Sequence, residues 1–253
     1  MKKIIQIIIF FTVTTSMACD CVMSNFTQKF MRSDFVAEIK ITKLYENEGA
    51  DEIYKSDIEI LNIYKGDSLK SIYVAGRSDK KMGSSCAIKI PKETELIAYG
   101  YKNKDGKVVI GMCSGLTYTN NHYFINEERI TREKKMLSVL KKKKIRLTNK
   151  VHVSNYSSLN QELEKFKGIE LEKDFAIFEI EFSSGLKVRN VKTITGYEDV
   201  LNKKLMKILK SLEWQSYYNG ERNIVPKSNK ILFEINYYKD KENNTSFLTQ
   251  HLL

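Results

Sequence analysis

Residues 34–46 alternate. Phe35, Ala37, Ile39 and Ile41 fall on one side of an extended chain, with mostly polar residues between them, the period-two signature of a half-buried strand. Residues 54–67 repeat the pattern and end in Lys65-Gly66-Asp67, a turn signal. A third strand is predicted over 69–76, and two more over 94–113, folded as a hairpin on Asp105-Gly106. Ahead of them, Phe26, Phe30 and Met31 recur at helical offsets within 25–33. Five strands and a helix in about 100 residues predict an all-β N-terminal domain, a five-stranded closed barrel of the OB type with flanking helices.

The pattern then changes period. Residues 126–144 predict a helix with Asn126 as N-cap, Glu127 and Glu128 in the first turn and lysines at the far end, as the helix dipole prefers. Ile130, Met136, Leu137 and Leu140 supply its apolar face. The run Lys141 to Arg146 reads as a basic linker or a docking patch, with a solvated helix end as the plainer reading. Two strands follow around Ser183-Ser184-Gly185, then a helix carrying Val200, Leu201, Leu205, Ile208, Leu209 and Leu212, then a strand over 230–238. This β-β-α-β order predicts a C-terminal α+β domain, an open sheet covered by one helix. The polar tail from Lys241 is expected to fray.

The first residues change the picture. Lys2 and Lys3, the apolar run Ile4 to Val13 and Ser16-Met17-Ala18 have the three parts of a secretory leader. The apolar run is shorter than the roughly 20 residues a membrane span needs, and no later segment resembles a span, so no transmembrane segment is expected once the leader is removed. The expected boundaries are a leader at 1–18, the barrel domain at 19–125, a helix and basic linker at 126–150, the second domain at 151–240 and a tail at 241–253. A lipoprotein leader is the competing reading: it would acylate Cys19, anchor the chain to lipid and block its amine.

Composition narrows the chemistry. The net charge of +11 falls by two with the leader, and in an exported chain a basic balance points to anionic glycans, lipid head groups or an acidic partner rather than nucleic acid. The four cysteines, Cys19, Cys21, Cys86 and Cys113, are an even set, read as a disulfide framework in an exported protein. There is no G-x-S-x-G, H-E-x-x-H or phosphate-binding glycine loop. His122, His152 and His251 are far apart and share no ligand spacing. Neither catalysis nor a cofactor is expected.

The cysteines also carry a resemblance. "CDCV" at residues 19–22, with "SDFVAEIKI", "IEILNIYKGD", "SSCAI", "ELIAYGY" and "GKVVIGMCS", makes residues 19–125 resemble the N-terminal domain of the tissue inhibitors of metalloproteinases (TIMP-like), within the netrin-like (NTR) class. The resemblance implies bridges from Cys19 to Cys86 and from Cys21 to Cys113, each closing a long loop worth about 4–5 kcal/mol on chain entropy. It implies that the α-amino nitrogen and carbonyl of Cys19 chelate the zinc of a target metalloprotease, a metal not its own. Asp20 would enter the pocket beside that zinc, Cys21 and Val22 would continue the contact ridge, and Ser84 and Ser85 would flank it. The chain offers no cysteines for the family's third bridge, and NTR modules also serve as protein-binding domains. A C-x-C redox or metal-carrying site is a third reading of the same residues.

Residues 165–240 resemble the C-terminal domain of the TonB energy transducer, through "FEIEFSSGLKVRNV", "LNKKLMKILKSL", Trp214, Asn219-Gly220 and "ILFEINY". The transducer's membrane anchor and proline-rich spacer are not matched; only Pro91 and Pro226 occur. What this implies is a surface that binds a peptide by adding a strand to a sheet edge. The expected function is a secreted metalloprotease inhibitor, periplasmic or extracellular. The alternative is a non-catalytic envelope module whose barrel is a platform and whose second domain binds another envelope or extracellular protein.

Overall fold

The computed structural model describes residues 19, 21, 24–48, 51–120, 126–149, 151–155, 157–183, 185–218, 221–222, 229–240 and 245–252. Residues 1–18, where a leader is expected, and Asp20, Val22, His122, Ser184, Asn219-Gly220 and Pro226 lie outside them.

The chain runs through α1 (Phe26–Arg32), β1 (Phe35–Leu44), β2 (Ile53–Lys65), β3 (Ser71–Ala75), β4 (Glu95–Lys102), β5 (Val108–Ile110), β6 (Thr117–Tyr118) and α2 (Glu127–Lys142). In order β1-β2-β3-β5-β4, with β4 returning to pair β1, the strands close a five-stranded barrel; β6 adds to β4. Only β3 and β5 run parallel in this set. The order fits a barrel of the OB type. Closure falls on β1, which pairs β2 on one side and β4 on the other and is bulged at three places against β2, as a strand that must bend around a barrel requires. Phe35, Ala37, Ile39 and Ile41 point into the barrel with Tyr54, Ile72, Val74, Leu96 and Ile110.

The remainder is mixed α+β. It comprises β7 (His152–Ser154), α3 (Ser157–Glu164), β8 (Phe175–Phe182), β9 (Val188–Thr195), α4 (Asp199–Ser211), β10 (Gln215–Tyr218), β11 (Glu221–Arg222), β12 (Lys230–Asp240) and β13 (Thr245–Thr249). An antiparallel sheet runs β13-β12-β8-β9, and a second small one runs β11-β10-β7. The tail does not fray throughout. Residues 245–249 pair with β12, Leu248 and Ser246 are buried, and Phe247 stacks on Tyr238 at 5.8 Å. Burying a leucine side chain contributes about 1.5–3 kcal/mol, enough to hold a short strand that finds a free sheet edge.

One hydrophobic cluster crosses between the two halves. Phe26, Phe30 and Met31 of α1, Val36, Tyr64, Ile97 and Tyr99 on the barrel's outer wall, and Met136, Leu137 and Leu140 of α2 pack with β8, β12 and α4. β12 is consequently buried on both faces from Ile231 to Tyr238. Its fully buried Glu234 accepts hydrogen bonds from the Phe26 N–H at 2.8 Å, the Thr27 N–H at 3.2 Å and the Thr27 hydroxyl. Asn25 caps the same helix end by accepting from the Gln28 N–H. Arg132 of α2 reaches across to donate to the Tyr237 carbonyl at 2.9 Å and lies 4.1 Å over the Tyr238 ring.

The predicted cap of α2 is present: Asn126 accepts from the Arg129 N–H at 2.9 Å. At the other end the Lys144 N–H donates to the Lys141 carbonyl and the Ile145 N–H to the Leu140 carbonyl, the pattern of a Schellman motif. Lys144 stands at its left-handed position, φ 54°, where an L side chain costs about 1–2 kcal/mol and glycine does not.

Candidate functional site

The first described residues are bolted to the barrel. Cys19 is joined to Cys86 and Cys21 to Cys113, with Cα–Cα separations of 5.1 and 5.2 Å, within the ordinary range for a disulfide. These are the pairs the resemblance implies. The two bridges are adjacent: the Cys19 and Cys113 sulfurs lie 3.9 Å apart. The sulfurs of Cys19, Cys21 and Cys113 fall within 4.8 Å of one another, which is metal-ligand spacing. All of them are consumed by the bridges and no cysteine is free, so no thiolate is available to hold a metal or attack a disulfide.

Each bridge lands on a segment with its own supports. Cys86 follows Ser84 and Ser85 on an exposed turn closed by the Ala87 N–H donating to the Ser84 carbonyl at 2.9 Å. Glu52 accepts from the Ser84 N–H at 2.7 Å, and its bonds to Ser84 hold its carboxyl below the ordinary range. At the start of this loop Asn47 donates to the Gly76 carbonyl and accepts from the Ser78 N–H, while Ser78 donates to the Tyr45 carbonyl. Arg77 forks onto Asp79, whose pKa is drawn down to about 2 by that bond. Gly76 is required by contact: a Cβ there would lie 1.8 Å from the Ile88 carbonyl oxygen.

Cys113 sits in a 3-10 turn, Met112–Ser114, capped by Ser114, which accepts from the Gly111 N–H at 2.9 Å. The next residue is tied to α1, because Lys29 donates to the Gly115 carbonyl at 3.2 Å. Lys29 also pairs with Glu133 of α2 at 3.0 Å. Tyr99 and Thr117 both donate hydroxyl hydrogen bonds to the same carboxylate. Burial pushes the Glu133 pKa up, but Lys29 and these hydrogen bonds outweigh it and hold the group below its ordinary value.

The staple therefore brings Cys19 and Cys21 onto the surface that carries Ser84 and Ser85. Asp20 and Val22, the other predicted contact residues, lie outside the described residues. Sequence reasoning passed over Met82, 97 % exposed at the crest of the Cys86 loop, and Met112, 51 % exposed beside Cys113. The available signal was a lone methionine inside the polar run Lys80-Lys81-Met82-Gly83-Ser84-Ser85.

In the other half, Trp214 is core. It lies edge-on to Phe182 at 5.6 Å and to Phe233 at 5.3 Å, and its indole N–H donates to the Leu209 carbonyl. His152 is half-buried in β7, where desolvation and nearby Arg32 push its pKa down; His251 is exposed. Among the described residues no helix is long and apolar enough to cross a membrane.

No protein-family model and no curated protein matches this chain.

Proposed function

We propose that this protein is an exported, non-catalytic inhibitor of zinc metalloproteases, acting through the α-amino nitrogen and carbonyl oxygen of Cys19. The observation that carries the proposal is the double staple: two bridges, with sulfurs 3.9 Å apart across the pair, hold residues 19 and 21 on the barrel surface beside Ser84 and Ser85. Catalytic zinc keeps one coordination position for water or substrate, and nitrogen binds it at about 2.0–2.1 Å. An α-amino group has a pKa of about 7.7–8.0, so its neutral, ligating form is accessible near neutral pH. A terminus already fixed avoids most of the ordering cost of binding. Asp20 would enter the pocket beside the zinc, Cys21 and Val22 would continue the contact ridge and Ser84 and Ser85 would flank it, with Met82 and Met112 as apolar additions. This reading takes 19–125 as a TIMP-like domain of the NTR class. It also takes Cys19 as unacylated and the chain as periplasmic or extracellular, for which the two disulfides speak.

The alternative, a plain envelope-protein binding module, is supported by the second sheet. Its β8-β9-α4-β12 order suits a TonB-like domain, and β9 pairs only β8 among the described residues, leaving an edge for strand addition.

A panel of zinc endopeptidases separates the two. Native protein should inhibit at least one of them, and a version carrying one extra alanine before Cys19 should lose that inhibition while keeping its fold. No inhibition across the panel, or equal inhibition by the extended form, rejects the inhibitor reading and leaves the binding module.

A further inference from the structure

At the end of β3 away from the staple, two clefts of about 370 and 380 Å³ adjoin and share Asp34, Gly66, Asp67 and Thr148. Together they form a trough. One rim is the β4–β5 hairpin with Lys102 and Lys107, and the other is the segment after α2 with Lys144 and Arg146. The loop that carries Cys86 meets the opposite end of β3, where the Ile88 N–H donates to the Ala75 carbonyl. Both places can therefore be occupied at once.

What sets the rim cations apart is their placement on both sides of one concavity; of the four, Lys107 lies 4.8 Å over the Tyr73 ring on the cleft wall. Lys102, Lys107, Lys144 and Arg146 are exposed and make no ion pair with a carboxylate among the described residues, whereas Lys134, Lys135, Lys230 and Lys239 each do. The α2 dipole accounts for Lys141 and Lys142 in its last turn. It does not account for Lys144 and Arg146 beyond the helix end, nor for two lysines on a separate hairpin. Lys144 also occupies a left-handed position that glycine would fill without strain.

The floor is different. Gly66 holds φ +84° with Asp34 so close that a Cβ would lie 2.5 Å from the Asp34 carbonyl oxygen. Asp34 is fixed by the Lys102 N–H at 2.8 Å, and Asp67 stands exposed. Carboxylates along the floor repel a bare polyanion, but they accept hydrogen bonds from hydroxyl groups. Cations on both rims attract sulfates or carboxylates. A concave trough of this kind fits a narrow chain better than the flat face of a bilayer.

We propose that this trough binds a linear anionic polysaccharide, with its charged groups on the lysine and arginine rims and its hydroxyls on Asp34 and Asp67. The site is independent of the staple and of any inhibition.

The test is titration calorimetry of the full protein with a heparin octasaccharide, which supplies sulfates, and with an oligogalacturonate, which supplies only carboxylates. Either one should bind, more weakly as salt rises. Lys144→Ala with Arg146→Ala, and separately Lys102→Ala with Lys107→Ala, should each weaken binding about tenfold. The control Lys203→Ala with Lys207→Ala, on exposed positions of α4, should change it less than about twofold. The proposal is overturned if neither oligosaccharide binds at low salt, or if the α4 control loses as much as the rim variants. Capture by phosphatidylglycerol vesicles with no oligosaccharide binding overturns it too, in favour of a membrane face.

Discussion

Removing one bridge of the staple, by Cys21→Ser with Cys113→Ser, should cost less than its sequence separation suggests. Alone, a bridge across 92 positions would contribute about 4.6 kcal/mol by loop entropy, and one across 67 about 4.4 kcal/mol. The two loops interleave, however, and begin only two positions apart. With Cys19–Cys86 in place, the loop still open runs only through 19–21 and 86–113, about 29 positions, and closing it contributes about 3.6 kcal/mol. Either bridge removed singly should therefore lower the unfolding free energy by about 3.6 kcal/mol, and both together by about 8 kcal/mol, somewhat more than twice the single loss. The assay is equilibrium denaturation in guanidinium, comparing native, both single-bridge variants and the double, at matched m-value. A single-bridge loss below about 1 kcal/mol would refute the reasoning, because the terminus would then be ordered by something other than its crosslinks. Two single losses that sum to more than the double loss would refute this coupling of the two loops.

Three further outcomes follow from buried groups. Burial pushes the Glu234 pKa up to about 7 despite three hydrogen bonds. The folded state therefore binds a proton the unfolded chain releases near pH 4.5. The stability this supplies, of order 3 kcal/mol, is complete below about pH 4.5 and lost as pH rises through about 7. A pH series of melts should show that slope in native protein and a flatter one in Glu234→Gln. Glu133→Ala would leave Lys29, itself almost buried, without its counter-charge, at a cost of about 3–5 kcal/mol, read by denaturant midpoint. Gly76→Ala would force the Ile88 backbone to move, and amide exchange should speed up in residues 77–90 while β8 and β12 stay protected.

The barrel was legible because its strands are one-sided. Phe35, Ala37, Ile39 and Ile41 face inward at period two, and a closed sheet demands just that. α2 was legible from Asn126 and its acidic first turn, whereas the burial of Arg132 and Glu133 was not. Glu133 is neutralised by Lys29 of α1 and bonded by Tyr99 of β4, and Arg132, paired locally with Glu128, also donates to the Tyr237 carbonyl of β12; no local pattern announces those distant partners. β12 shows the same limit. Glu234 and Asn236 are polar positions of that strand, yet both are fully buried: α1, 208 positions away, brings its N-terminal N–H groups to Glu234, and Asn236 donates to the His251 carbonyl. Short pieces such as β7, β11 and β13 carry too few residues for periodicity to register. At the staple, the cysteine count was plain from the chain and the pairing came from resemblance. The bonds from Asn47 to Gly76 and Ser78 and from Ser84 to Glu52 that steady the Cys86 loop are tertiary and left no trace in local sequence.

The inhibitor reading stands on an unblocked amine at Cys19 held by two particular crosslinks. Intact mass of the exported protein before and after reduction, followed by peptide mapping, tests it directly. The account predicts a chain beginning at Cys19 with no added mass on its amine, a gain of four hydrogens on reduction, and peptides joining Cys19 to Cys86 and Cys21 to Cys113. An acyl group on Cys19, a start at any other residue, or a different pairing would contradict it.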